Sequence, residues 1–160
     1  MEARIREAVP ADAAAVAALV GAVAAENRWL RTETPFNAEL RAKRLAELMT
    51  NGSLVVFVAE SSAGIVGELS LHFRDGRSSF GIAVAAGARR QGVGRKLVRL
   101  ALERARERNA SSVVIEVYAH NVAALELYRS AGFVETGPAV SEARGDGQRW
   151  EAVPMSIDLT

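Results

Sequence analysis

The sequence predicts a single α/β domain built on a mixed sheet, and three observations carry that prediction. The chain has 160 residues with no repeat, low-complexity block or Pro/Gly/Ser linker to divide it, a length at which one domain buries roughly 70% of its unfolded surface. Its first half holds short β-branched and aromatic runs separated by tight-turn residues, the pattern of an antiparallel meander. Its second half runs strand, Gly/Arg loop, amphipathic helix, strand, which should be a right-handed parallel crossover.

The elements follow in order. Ile5–Val9 reads as a first strand stopped by Pro10, and Asp12–Glu26 as a helix whose Ala, Val and Leu recur at helical spacing. Asn37 can cap a second helix to about Met49, closed by Asn51-Gly52. Ser53–Glu60 and Ile65–Phe73 make a hairpin around Ser61–Gly64, and Arg74-Asp75-Gly76-Arg77 turns into a strand at Ser78–Val84. The loop Ala85–Gly94 leads into a helix from Val93 to about Arg108, then a strand at Ser112–Tyr118. Asn121 opens a helix ended by Gly132, and a final hairpin turns at Gly145-Asp146-Gly147 into Trp150–Leu159.

Composition narrows the chemistry. A balance of 49% hydrophobic and 24% charged residues is that of a soluble globular chain, and a net charge of +1 argues against a general nucleic-acid or anionic-membrane binder. Cysteine is absent, which removes disulfides, thiolate metal sites and a cysteine nucleophile. His72 and His120 lie far apart, so no metal site is expected. The start MEARIREAVP has no apolar core before a cleavage site, and the apolar stretch around Ala13–Ala25 is too short to span a bilayer, so a cytoplasmic location is expected.

The chemistry concentrates in Arg89-Arg90-Gln91-Gly92-Val93-Gly94-Arg95-Lys96, between a strand and a helix. A helix N-terminus offers unpaired N–H groups and about half a positive charge, which suits phosphate. Gly92 and Gly94 let backbone approach the oxygens, and the arginines add charge. A Walker loop fails because Val93-Gly94 follows Gly92 where Lys-Ser/Thr is needed, and a dinucleotide fingerprint fails at Leu97.

What fits is R-x-x-G-x-G after the strand Gly81-Ile82-Ala83-Val84, which resembles the acetyl-CoA loop of the GNAT acetyltransferases. The run Ile115–Asn121, then Ala124-Leu125, Leu127-Tyr128 and Gly132-Phe133, is similar to the family's second signature, and the opening Ile5-Arg6 with Pro10 and Asp12 and the closing Asp146-Gly147 with Met155 extend the resemblance over nearly the whole chain. It implies one GNAT domain over residues 1–160: a mostly antiparallel central sheet splayed between strands 4 and 5, flanked by about four helices, with acetyl-CoA as cosubstrate. It also implies that backbone of Ile82, Ala83 and Val84 meets the pantetheine arm, that Arg89, Arg90, Gln91, Gly92, Val93, Gly94 and Arg95 hold the pyrophosphate, and that Asn121 touches the arm further along. Arg89 and Arg90 could instead be a solvated helix face, and Asn121 only an N-cap. Dimers are common in such proteins, and the C-terminal strands could mediate one.

Acyl transfer to an amine needs a neutral nucleophile and a protonated route for the leaving thiolate. Tyr128 stands where the family places its general acid, and a phenol near pKa 10 carries its proton at neutral pH; the alternative is a core tyrosine. Glu116 interrupts an apolar strand, where a carboxylate is costly unless it lines a cleft, and related protein N-terminal acetyltransferases place a glutamate there. It is the first candidate base, with pairing to a nearby arginine as the alternative. Glu68 is the second candidate base, Glu33 could bind the incoming ammonium, and Trp29, Phe36 and Trp150 could wall an acceptor pocket. The expected function is transfer of acetyl to the primary amine of a small molecule by direct attack in a ternary complex. A protein N-terminal or lysine acetyltransferase and a non-catalytic acyl-CoA-binding module are the alternatives.

Overall fold

The computed structural model describes residues 2–160. Strand β1 (Arg4–Glu7) precedes helices α1 (Ala13–Ala24) and α2 (Ala38–Thr50), then the meander β2 (Leu54–Ser61), β3 (Gly64–Arg74) and β4 (Arg77–Val84). Helix α3 (Val93–Glu107) leads to β5 (Ser112–Tyr118) and α4 (Val122–Ser130), and the chain closes with β6 (Val134–Glu135), β7 (Val140–Ala143) and β8 (Arg149–Asp158). One sheet runs β1-β2-β3-β4-β5-β8-β6, with β7 also paired to β8.

The β4–β5 junction is the only parallel pairing, and its register holds at one place among the described residues, Ser78 opposite Val113. From there the strands diverge, so the predicted splay is present. The other pairings are antiparallel; β2–β3, β3–β4 and β7–β8 are hairpins closed by short turns, while β1–β2 and β5–β8 are joined through helices.

Alternation along the strands gives the sheet two covered faces. Val55, Phe57, Leu69, Leu71, Val113, Ile115 and Met155 pack against Leu97, Val98, Ala101 and Ala105 of α3, which recur at helical spacing. Leu54, Val56 and Val58 pack against Val16 and Ala17 of α1 and Leu45 of α2. Helix α1 packs on α2 and the sheet through Val16, Ala17, Leu19, Val20 and Val23 and presents alanines to solvent on its outer side. Its Gly21 is needed for that packing, since a Cβ there would stand 2.8 Å from the Phe36 ring.

Two details differ from the sequence reading. β1 stops at Glu7 rather than Val9, because the Asp12 carboxylate takes the Val9 amide at 2.8 Å and turns the chain at Pro10. Asp12 is also held by Arg6 at 2.8 and 3.0 Å, so it closes the turn ahead of α1 instead of entering it. The two-residue β6 was not read as a strand, being too short for any alternation to register.

Candidate active site

A cleft of about 1280 Å³ passes through the splay and reaches both faces of the sheet. On the α3 face it is lined by Ile82, Gly92, Val93, Gly94, Leu127 and Tyr128, and on the α1–α2 face by Trp29, Leu30, Arg31, Gly81 and Glu116. The Ala85 amide donates to Val66 of β3 at 2.8 Å. Antiparallel alternation then turns the backbone of Ile82 and Val84 toward the gap left by β5.

At the mouth the chain takes left-handed conformations at Arg90 (φ 64°) and Gly92 (φ 80°). The first amide to close a turn of α3 is that of Lys96, on the Gly92 carbonyl at 3.2 Å, so the amides just before it stand outside the helical ladder. Gly94 sits beneath α4, where a Cβ would be 3.2 Å from Leu127. Arg90 and Arg95 are exposed beside these amides. Together they gather backbone N–H groups and positive charge at one place, an arrangement whose chemistry suits a pyrophosphate. Arg89 is placed differently from its neighbours. Its guanidinium binds both Glu26 oxygens at 2.8 and 2.7 Å and the Val84 carbonyl at 2.9 Å, tying the loop to the end of α1. Gln91 donates to the Gly87 carbonyl at 3.1 Å, and Asn121 caps α4 by accepting from the Ala124 amide at 3.2 Å while lining the cleft.

Tyr128 lines the cleft with 5% of its surface exposed, its ring edge-on to Phe80 and tilted against Phe133, both at 5.8 Å. Burial pushes its phenol above the ordinary value, so it keeps its proton throughout the neutral range.

Glu116 faces the opposite side of the sheet from Tyr128, since Ile115 and Val117 take the α3 face. The two meet the same cleft only because it crosses the sheet. The Glu116 carboxylate is half exposed and 3.3 Å from Arg31, which also grips Glu142 at 2.7 and 3.0 Å. One guanidinium thus faces two carboxylates.

The remaining candidates are distributed around that end. The Glu33 carboxylate accepts from the Gly145 amide at 2.8 Å and lies 3.8 Å from Arg144, so it pins the α1–α2 connection to the β7–β8 hairpin. Trp150 is buried beneath Arg144, whose guanidinium carbon lies 3.8 Å from the ring centroid, and supports the cleft from behind. Glu68 is buried at 4% exposure, with Ser70 Oγ donating to it at 2.8 Å. His120 Nε2 is 2.6 Å from the Arg28 carbonyl, and Phe36 packs on α1 beside Arg41.

Sequence reasoning missed Arg31, Glu142 and Arg144. Arg144 is the most consequential: its side chain is 2% exposed and donates to the carbonyls of Leu30 and Arg31 and to Asn27 Oδ1, at 3.0 to 3.1 Å. Nothing in the local run Ala143-Arg144-Gly145 marks it, because every one of these partners lies over a hundred positions away. No group of three or more His, Asp or Glu among the described residues could hold a metal ion, and no helix there is long and apolar enough to cross a membrane.

A splayed mixed sheet with this cradle of amides and charge at the strand-to-helix turn defines an acyl-CoA-binding architecture. Residues 22–133 match the Acetyltransferase (GNAT) family, and the chain belongs to that family. It is similar in structure to a ribosomal-protein-alanine N-acetyltransferase from Brucella melitensis, at 30% identity and TM-score 0.87, covering 98% of this chain and 99% of that one. Its fold is also that of yncA from Salmonella typhimurium, solved with its cofactor acetyl-CoA, at 21% identity, TM-score 0.86 and coverage of 100% and 95%. In sequence it resembles GCN5-related N-acetyltransferase 6, chloroplastic, from Arabidopsis thaliana, 43% identical over 58 residues. That match spans 35% of this chain and only 20% of the plant protein.

Proposed function

We propose that the protein transfers an acetyl group from acetyl-CoA to the primary amine of a small molecule. Acetyl-CoA, when bound, supplies an activated thioester carbonyl. The amides around Gly92 and the charges of Arg90 and Arg95 bind its pyrophosphate, with Arg89 bracing the loop. The backbone of Ile82 and Val84 aligns the arm in the gap. Glu116 receives the acceptor ammonium by exchange with Arg31. As the amine nitrogen bonds to the carbonyl carbon and the C–S bond breaks, Tyr128 delivers its Oη proton to the departing sulfur and regains one from the nitrogen. With no cysteine in the chain and a single cleft open to both faces, both substrates are held together for direct attack.

The observation that carries the choice of acceptor is the closure of the cleft's far end. Asn27 donates to Asp146 at 2.9 Å, Glu33 takes the Gly145 amide, and Arg144 holds Leu30 and Arg31. These ties bring the α1–α2 connection and the β7–β8 hairpin together, which favours a compact amine over an extended peptide. The 30% identity to the Brucella protein named for ribosomal-protein alanine favours a protein N-terminus as the second reading. An acceptor panel with acetyl-CoA, scored by free thiol release, separates them. Amino acids, amino sugars or polyamines should release thiol, and turnover of an Ala-started peptide alone would reverse the assignment. Initial-rate plots should intersect; parallel lines would reject direct transfer.

A further inference from the structure

On the reading that an amine is acetylated here, its ammonium must lose a proton before it can attack, and one arrangement near the cleft is built to take it. We propose that Glu68 is the proton acceptor for the incoming ammonium, acting through the hydroxyl of Ser70.

The register places the pair. Ser70 lies directly opposite Gly81 and Glu68 directly opposite Ala83, and both of these β4 residues line the cleft. Gly81 is exposed, and a Cβ built on it meets nothing within 4 Å. The Cα atoms of Ser70 and Gly81 are about 5.5 Å apart across the strands, so an acceptor lying over this bare position has the Ser70 side chain beside it. Ser70 Oγ in turn donates to Glu68 Oε2 at 2.8 Å.

The surroundings of Glu68 suit the role. Val56 and Val58 of β2 share its face, and α1 contributes no ionisable side chain. The charged group that acts on it is Arg41 from α2; His72, four residues further along the same side of β3, has an imidazole held below its ordinary value by desolvation and by Arg41. Burial lifts the carboxyl to about 7, against the partial opposition of Ser70 and Arg41, so it can accept and release a proton at neutral pH. Glu116, half exposed and paired with Arg31, has no such burial. In the step itself, the ammonium proton passes to Ser70 Oγ as the Ser70 proton moves to Glu68 Oε2. This leaves a neutral amine and a neutral carboxylic acid, and Glu68 returns its proton to solvent after product departs.

The test uses the whole protein with acetyl-CoA and glycinamide as acceptor probe. Glu68→Gln keeps the size and the Ser70 contact while removing a buried charge, so it folds. It should lower kcat about 10²-fold or more and abolish the limb near neutrality in the kcat–pH profile, and Ser70→Ala should lower kcat comparably. Glu116→Gln should raise KM for glycinamide and keep the limb. A Glu68→Gln enzyme with the wild-type limb, or a limb lost only in Glu116→Gln, overturns the relay. Without any acceptor, carbon-13 NMR of the acetyl-CoA-bound protein should show a Glu68 carboxyl titrating near neutrality, and titration in the ordinary carboxylate range overturns it as well. Wild-type protein that leaves glycinamide untouched while Glu68 titrates near neutrality would count against amine acetylation instead.

Discussion

At one end of the cleft the chain presents backbone amides from consecutive residues around Gly92; at the other, side chains from residues 27–33 meet side chains and backbone from 142–146, more than a hundred positions away. The first end is specified locally. A left-handed Gly92 and a helix start set the amides from neighbouring residues, and one distant tie, Arg89 to Glu26, braces them. The second exists only once the sheet has brought β8 beside β5 and α1 over β4. The two ends should therefore respond separately to mutation, and Tyr128, in the cleft they share, should respond as neither does.

The largest effect is expected there. Tyr128→Phe keeps the ring contacts with Phe80 and Phe133 and removes only the proton donor. In single-turnover measurements kcat should fall about 10²–10⁴-fold, with acetyl-CoA affinity nearly constant. A rate at the wild-type level would reduce Tyr128 to a packing residue.

The same division decides what the sequence reveals. The turn from β4 through Gly92 into α3, the caps at Asn37 and Asn121 and the sequence of elements through β5 were legible because each depends on residues a few positions apart. The splay came from family resemblance, since no local pattern encodes where two strands stop pairing. Glu33 was visible as a carboxylate in the right region, but its partner Gly145 was not, so an ammonium ligand was expected where a strut stands. Arg89 looked like a phosphate ligand because its partner Glu26 lies beyond the reach of local reading.

Arg144→Met should break the acceptor end alone. It strips hydrogen bonds from Leu30, Arg31 and Asn27 while keeping apolar bulk over the Trp150 ring. Leaving several buried partners unmatched should cost about 2–4 kcal/mol in denaturant unfolding. Acceptor KM should rise while calorimetric acetyl-CoA affinity stays put. A parallel loss of acetyl-CoA binding would mean the two ends are coupled after all.

Gly92→Glu is the converse break. Its φ of 80° is costly for any side chain, and the new carboxylate would face phosphate. Acetyl-CoA affinity should weaken by about tenfold or more, while thermal stability should fall only by what about 1–2 kcal/mol of backbone strain costs, since nothing lies within 4 Å of the added Cβ. Unchanged affinity in the folded variant would remove the cradle from the phosphate site.

The smallest effect sharpens the comparison most, because it asks to which end Arg89 belongs. The Glu26–Arg89 pair is partly buried, and Arg89 holds the Glu26 carboxyl below its ordinary value. A carboxylate with a depressed folded-state pKa contributes stability above its unfolded value and loses it as pH falls through the folded one, so the pair is fully formed at neutral pH. Glu26→Gln then removes at most about 1 kcal/mol, a change of up to about fivefold in any equilibrium that depends on it. If Arg89 braces the loop, releasing it lets the amides around Gly92 wander, and acetyl-CoA should bind up to about fivefold more weakly. If Arg89 is a phosphate ligand restrained by Glu26, releasing it should tighten binding and steepen its dependence on salt. The Nε bond to the Val84 carbonyl at 2.9 Å survives the substitution and keeps the side chain aimed along β4. The brace therefore predicts weaker binding, and tighter binding would return Arg89 to the pyrophosphate.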